Sequence, residues 1–324
     1  MSALLHLLGG GLLLYFGAQW LVAGSSALAL TLRIPQLIVG LTVVAYGTST
    51  PEVIVSVQAA LAGHPAVAIG NVVGSNIANI GLILGVAALI APARVDGALR
   101  SRELPVLFAA TALVPATLID GTISRIEGSV LLASGILYTA WMIRAARAGA
   151  EVAAARADTV VERDVADAAG APQARGAARS ALIALFGLGV LLVGGSLFVD
   201  GAVAAAHALG MSERLAGITV VAVGTSLPEL ITSIVAARRG HSDLAIGNVV
   251  GSNIFNVFLC LGSTALVENV AAPLSELTVD LVALGAMTTV GAVLIRNERT
   301  ISRREGAVAV GLYGLFLATS ITGG

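Results

Sequence analysis

Forty residues of this chain occur twice. Residues 40–79 read GLTVVAYGTSTPEVIVSVQAALAGHPAVAIGNVVGSNIAN, and residues 217–256 read GITVVAVGTSLPELITSIVAARRGHSDLAIGNVVGSNIFN. The two align without a gap at an offset of 177, with 27 of the 40 positions identical. Apolar helices resemble one another by chance through Leu, Val and Ala. This match instead carries Gly, Asn, Thr, Ser, Pro and Glu in order, so the chain is a duplication. Its fold must accommodate one segment in two places.

The surrounding sequence defines the solvent. Charged residues make up 11% of the 324 and hydrophobic residues 57%, with a mean hydropathy of +0.94. A soluble domain carries about 25% charged residues. Here the charges fall between apolar stretches near the length of a bilayer span, which excludes a soluble enzyme. Residues 1–32 lack a basic start and are apolar for too long to be a secretory signal, so they read as a first membrane helix. The lone cysteine, Cys260, allows no intrachain disulfide and reads as a small packing residue. All 18 basic residues are arginine, to which we attach no functional weight.

Hydropathy predicts ten helices, near 3–31, 36–61, 66–92, 104–119, 127–147, 180–209, 215–237, 243–267, 277–295 and 306–322. With the N-terminus outside, sixteen of the 18 arginines lie on the cytoplasmic side, and only Arg125 and Arg214 lie outside. That bias follows the positive-inside rule. Five helices per repeat is an odd number, so the second repeat enters the membrane upside down. The expected fold is an all-α membrane protein of ten transmembrane helices in two inverted five-helix repeats, N-out and C-out. The first repeat spans 1–147 with its duplicated segment at 40–79, and the second spans 180–324 with its segment at 217–256. Between them, 148–179 holds Glu151, Asp158, Glu162, Asp164 and Asp167 among alanines, and reads as a solvated, partly helical linker. Its acids lack the spacing of a calcium loop. Inverted repeats with interrupted helices are a transporter architecture, with substrate near the midplane where the repeats meet.

Two motifs lie inside the apolar helices of each repeat. GTSTPE at 47–52 and GTSLPE at 224–229 combine glycine and proline, which interrupt a helix and free carbonyl oxygens at membrane depth. Thr48, Ser49, Thr225 and Ser226 add hydroxyls. GNVVGSNIAN at 70–79 and GNVVGSNIFN at 247–256 supply Ser75, Asn76 and Asn79, with Ser252, Asn253 and Asn256. Of the 19 acidic residues, Glu52 and Glu229 are the two placed near mid-membrane; Asp200 and Asp280 fall toward helix ends. A carboxylate there is costly and faces a partner or an ion path, and no arginine lies at that depth. Two facing carboxylates repel, and a divalent cation between them balances the charge. Carboxylate, carbonyl and amide oxygens suit Ca²⁺, with its shell of about 6–8 oxygens. Neutral oxygens suit Na⁺, and no soft ligand points to copper or zinc. Gly70, Gly74, Gly247 and Gly251 are expected to admit close packing and to shape the site. Asn71 and Asn248 either cap broken helix ends or touch ions. His64 and His241 read as polar loop residues.

These paired segments resemble the α-repeats of the calcium/cation antiporter family, in its sodium/calcium exchanger branch of prokaryotic type. The resemblance implies that Glu52 and Glu229 bind calcium together, with backbone carbonyls of Thr48 and Thr225. It places sodium among Ser49, Ser75, Ser226 and Ser252 and the carbonyls of Ala45 and Ala222, with Asn79 and Asn256 at the amide position. The potassium-dependent branch, and some prokaryotic exchangers, carry aspartate where this chain has Asn256, a departure that argues against potassium dependence. Proton-coupled members show GN before the helix-breaking glutamate, so GTS favours sodium. The resemblance also implies that the first and sixth helices, 4–32 and 180–209, move as a unit. The large cytosolic calcium-sensing domains of animal exchangers have no counterpart here.

The expected function is exchange of Na⁺ for Ca²⁺ across the cytoplasmic (inner) membrane by alternating access. Na⁺ and Ca²⁺ are then substrates, the bilayer is the surrounding partner, and no cofactor or nucleic acid is required; a monomer suffices. An H⁺/Ca²⁺ or other divalent-cation antiporter is the nearest alternative and a passive cation channel the remote one. The sequence has no HExxH motif and no serine–histidine pair at common depth, so no enzyme is expected.

Overall fold

The computed structural model describes residues 2–95, 97, 99–157, 173–208, 222–297 and 300–322. Helix α1 (Ser2–Leu32) is 31 residues long. At about 1.5 Å per residue it measures ~46 Å, so it crosses a ~30 Å hydrocarbon layer only by tilting or projecting. The next helix comes in pieces: α2 (Gln36–Val39), a π-helical turn (Gly40–Val44), α3 (Ala45–Thr48) and α4 (Thr50–Leu61). The chain bends by 41° between α3 and α4. Helix α5 (Pro65–Ala78) passes through a second π turn (Asn79–Leu84) into α6 (Gly85–Ile90). Strand β1 (Ala93–Arg94), a third π turn (Leu99–Glu103), α7 (Leu104–Ala116), β2 (Thr122–Ile123) and α8 (Arg125–Ala157) follow.

Beyond the break comes α9 (Gln173–Ala208), then the short α10 (Ala222–Thr225) and α11 (Leu227–Arg238). Helix α12 (Ser242–Phe255) passes through a fourth π turn (Asn256–Leu261) into α13 (Gly262–Val267). The chain ends through β3 (Val270–Ala271), α14 (Leu274–Asn297), β4 (Thr300–Ile301) and α15 (Arg303–Thr322). The duplication of sequence is a duplication of structure. Helices α4 and α11, α5 and α12, α6 and α13, and the second and fourth π turns begin and end 177 residues apart.

The duplicated elements interlock. Strand β1 pairs antiparallel with β4, and β2 with β3, so each small sheet takes one strand from either side of α9. Thr111 of α7 meets Thr288 of α14 at 3.3 Å, and the Asn76 amide donates to the Asn253 carbonyl at 3.1 Å. Both pairs are separated by 177 residues. A residue touches its own repeat image only beside a two-fold axis, so the repeats meet around these positions.

Helices α1 and α9 pack antiparallel along their length. A Cβ added at Gly10 would stand 2.5 Å from the Phe198 nitrogen, and one at Gly17 2.5 Å from the Leu191 nitrogen. At Gly24 it would stand 2.8 Å from the Ser180 carbonyl, and at Gly201 2.8 Å from the Leu7 nitrogen. Residue numbers rise along one helix as they fall along the other. Glycine every seventh residue (10, 17, 24 and 187, 194, 201) lets the two backbones touch, as small residues do between membrane helices.

The exterior is apolar. Leu5, Leu8 and Leu12 of α1, Leu182 and Phe186 of α9, and Leu137 of α8 are all more than half exposed. An apolar surface of this extent faces lipid. Six described helices are long and apolar enough to cross a bilayer, and the bent α2–α4 unit makes a seventh. The other predicted spans fall short for identifiable reasons. Helix α7 has 13 residues after its π turn, and α15 opens on Arg303, Arg304 and Glu305. Residues 209–221, which lead into α10, lie outside the described residues, as do Arg214 and the first five positions of the second duplicated segment.

One local expectation changes. Pro51 and Pro228 were expected inside helices, but each occupies the first turn of a new one, where a missing N–H costs little. The breaks fall instead on Ser49 (φ −80°, ψ 4°) and Ser226 (φ −89°, ψ 5°). Helices α8 and α9 extend into 148–179 from its two ends, and 158–172 lie outside the described residues.

Candidate functional site

The two helix breaks meet at the centre of the fold, and their glutamates are 1% exposed. Their hydroxyl partners are crossed. Ser49 donates to Glu229 Oε1 at 3.1 Å, and Ser226 donates to Glu52 Oε1 at 3.2 Å. Ser226 also meets Ser75 of α5 at 3.5 Å. Each carboxylate is therefore held by the motif of the other repeat. No described arginine pairs with either; among the described residues the ion pair found is Arg125–Glu268, at the surface.

The second motif closes the centre with amides. Asn79 donates to Asn253 Oδ1 and Asn256 to Asn76 Oδ1, each at 3.0 Å. Asn79 and Asn256 each open a π turn, a distortion frequent at functional sites. Five buried oxygens here have no hydrogen-bond partner: Glu52 Oε2, Glu229 Oε2, Asn79 Oδ1, Asn256 Oδ1 and Ser252 Oγ. Buried polar atoms are otherwise almost always paired. Four of the five are pure acceptors, and acceptor oxygens without donors are what a cation needs. One unpartnered donor, Asn253 Nδ2, sits among them.

Asn71 and Asn248 have a different role from Asn79 and Asn256. The Asn71 amide nitrogen donates to the Glu52 carbonyl at 3.1 Å and to Ser56 Oγ at 2.9 Å. Asn248 repeats this on the Glu229 carbonyl at 3.3 Å and Ser233 Oγ at 3.0 Å, and its Oδ1 accepts from Thr48 at 3.1 Å. These asparagines hold the first turns of α4 and α11 in place. Thr48 and Thr225 are buried, and the Ala45 carbonyl accepts from the Ser49 N–H at 3.0 Å and from Thr48 Oγ1 at 3.5 Å. Ala222 opens α10, directly before the second break.

Several residues do more than sequence revealed. Cys260 is fully buried and donates its thiol to the Glu52 carbonyl at 3.3 Å, so it supports the site as well as filling space. Glu103 is a third buried carboxylate, 2% exposed, bonded by the Tyr138 hydroxyl of α8. Beside Arg102 in a charged stretch, it reads from sequence as a loop-end residue, and only folding supplies the tyrosine. His241 bonds Gln36 at 3.1 Å across the repeats. Gly247 and Gly251 lie against the Leu37 and Leu41 carbonyls, where a Cβ would approach to 2.7 and 2.8 Å. The positions equivalent to those partners, 214 and 218, lie outside the described residues.

The sequence profile of the "Sodium/calcium exchanger protein" family matches residues 2–144 and 179–322. The chain belongs to the sodium/calcium exchanger family. That places it among transporters rather than enzymes. It is 39% identical over 261 residues to the Escherichia coli inner membrane protein YrbG, covering 81% of this chain and 78% of that one. It is 32% identical to the sodium/calcium exchanger MaX1 of Methanosarcina acetivorans, over 97% of both chains. Solved structures of the sodium-calcium exchanger NCX_Mj superpose on it with a TM-score of 0.84 at 34% identity, covering 98% of each chain.

Proposed function

We propose that this family member exchanges Na⁺ for Ca²⁺ by alternating access through one shared site between Glu52 and Glu229. The observation that carries the proposal is the set of unpartnered acceptor oxygens on Glu52, Glu229, Asn79 and Asn256, two of them carboxylate. Ca²⁺ between the glutamates matches their charge and takes hard oxygen ligands. Na⁺ draws on the neutral oxygens of Ser49, Ser75, Ser226 and Ser252 and on the carbonyls of Ala45, Thr48, Ala222 and Thr225. Two uncompensated carboxylates are too costly to enclose without water, so the site closes only when cations fill it. That penalty couples the two fluxes.

The architecture proposed with it is ten spans in two inverted five-helix repeats, 1–147 and 180–324, with both termini outside and the 148–179 linker inside. Support comes from the antiparallel packing of α1 against α9, which occupy equivalent places in the two repeats. A two-fold axis relating antiparallel spans lies in the membrane plane, as in other inverted-repeat transporters. The same two helices lie against the motifs. A Cβ at Gly47 would meet the Leu188 side chain of α9 at 2.6 Å, so movement of the α1–α9 pair reaches the first break directly. The protein acts as a monomer in the cytoplasmic membrane.

The test is calcium-45 uptake into proteoliposomes loaded with sodium and diluted into sodium-free buffer, with and without a protonophore. Uptake that needs internal sodium and survives the protonophore is expected, as is its abolition in Glu52→Gln and Glu229→Gln proteins that still fold. Uptake that follows a pH gradient instead would reassign the counter-ion to the proton. Robust exchange by either variant would sink the shared site.

A further inference from the structure

A groove of ≈ 370 Å³ runs between α1, α9 and α11, from Leu227 beside the second helix break to the end of α11. Its walls are apolar, from Leu14 of α1 and Ile231, Ile234 and Val235 of α11. Its remaining lining includes Tyr15 and Gln19, one turn apart on α1, and the basic pair Arg238–Arg239 at the end of α11. Arg239 donates to the Gln19 carbonyl at 3.2 Å and also to its side-chain oxygen, which fixes one guanidinium beside the groove. Arg238 is exposed, and neither arginine pairs with a described carboxylate.

Depth and repetition both bear on what this groove accepts. Arg238 lies nine residues beyond Glu229 on one helix, about 14 Å along the axis and so about half the ~30 Å hydrocarbon thickness. With Glu229 near the midplane, a depth that rests on the proposed function, the guanidiniums stand at headgroup level. The duplicated fold does not demand them. The equivalent positions in the first repeat are Leu61 and Ala62, and those of Tyr15 and Gln19 are Leu192 and Ser196. A frame present twice thus carries a basic mouth once.

We propose that this groove binds an acidic phospholipid, its phosphodiester on Arg238 and Arg239 and an acyl chain along the apolar walls. Guanidinium forks match phosphate oxygens two at a time, and the pair of positive charges discriminates against a net-neutral headgroup. A lipid seated there touches α1 and α11 together.

The test is native mass spectrometry of the purified protein with phosphatidylglycerol and phosphatidylcholine of matched chains. A basic residue at the membrane surface favours an acidic lipid by about fivefold, so the pair is expected to give a preference of about tenfold or more. Arg238→Gln/Arg239→Gln should lose that preference. Ile234→Trp, which fills the groove and keeps the charge, should lose retained lipid as well. Arg303→Gln/Arg304→Gln, at an exposed basic pair elsewhere, should change nothing. Equal retention of both lipids by the wild type would overturn the proposal, as would an equal loss in the Arg303/Arg304 variant or full retention by Ile234→Trp. Binding is read without transport, so its failure and a failure of exchange are separately visible.

Discussion

Asn248 is expected to be indispensable to the cation site although it offers no free oxygen to a cation. It is 0% exposed and makes three hydrogen bonds, to the Glu229 carbonyl, to Ser233 Oγ and from Thr48. Side-chain hydrogen bonds inside membrane proteins are worth about 0.6 kcal/mol each on average and up to about 1.7. Three of them give about 2–5 kcal/mol for Asn248→Ala, with the cavity left by the amide adding to the upper end. One partner has a substitute, since Thr48 also reaches the Ala45 carbonyl at 3.5 Å. Release of the first turn of α11 then moves the Glu229 carboxylate, and a loss of ~1.4 kcal/mol at the site already weakens calcium tenfold. The assay is calcium affinity of the purified variant by isothermal titration, alongside its thermal midpoint. We expect both to fall. A lowered midpoint with unchanged calcium affinity would reduce Asn248 to scaffold, and no change in either would refute the argument.

Gly17→Leu should be poorly folded, because its side chain would enter the Leu191 backbone, and overpacking costs about 1–3 kcal/mol or more. Gly189→Ala, at a glycine with open space on the same helix pair, should be neutral or slightly stabilising; size-exclusion profiles of the two distinguish them. Tyr138→Phe removes the hydroxyl that holds buried Glu103 and leaves that oxygen unpaired, at a cost of about 1–3 kcal/mol, and should lower the thermal midpoint accordingly. Cys260 should resist maleimide in the folded protein and react on unfolding, since its thiol is fully buried against the Glu52 carbonyl; fast labelling of the native protein would contradict this packing.

The asymmetry between the repeats is instructive. Ser49–Glu229 and Ser226–Glu52 are images of one another, so duplication alone builds a symmetric pair of buried carboxylates. Cys260 breaks the symmetry, since its image is Ile83, and so does the Arg238–Arg239 pair.

By itself the sequence determined the medium, the duplication and the two motifs, because each is a local property. Hydropathy is summed over neighbouring residues, and an ungapped match of 27 in 40 survives any folding. It also singled out Glu52 and Glu229, since a carboxylate in an apolar helix is costly wherever that helix packs. Only the tertiary structure decided which groups face which. The crossed serine bonds join residues 174 and 180 positions apart, and the Glu103–Tyr138 bond joins two helices with no shared motif. Asn71 and Asn79 are identical in type and eight residues apart, yet one braces a backbone and the other leaves an oxygen free. A helix of 3.6 residues per turn makes the difference between bracing and binding a matter of which face each asparagine presents. What stands opposite that face is known only once the second repeat has packed against the first.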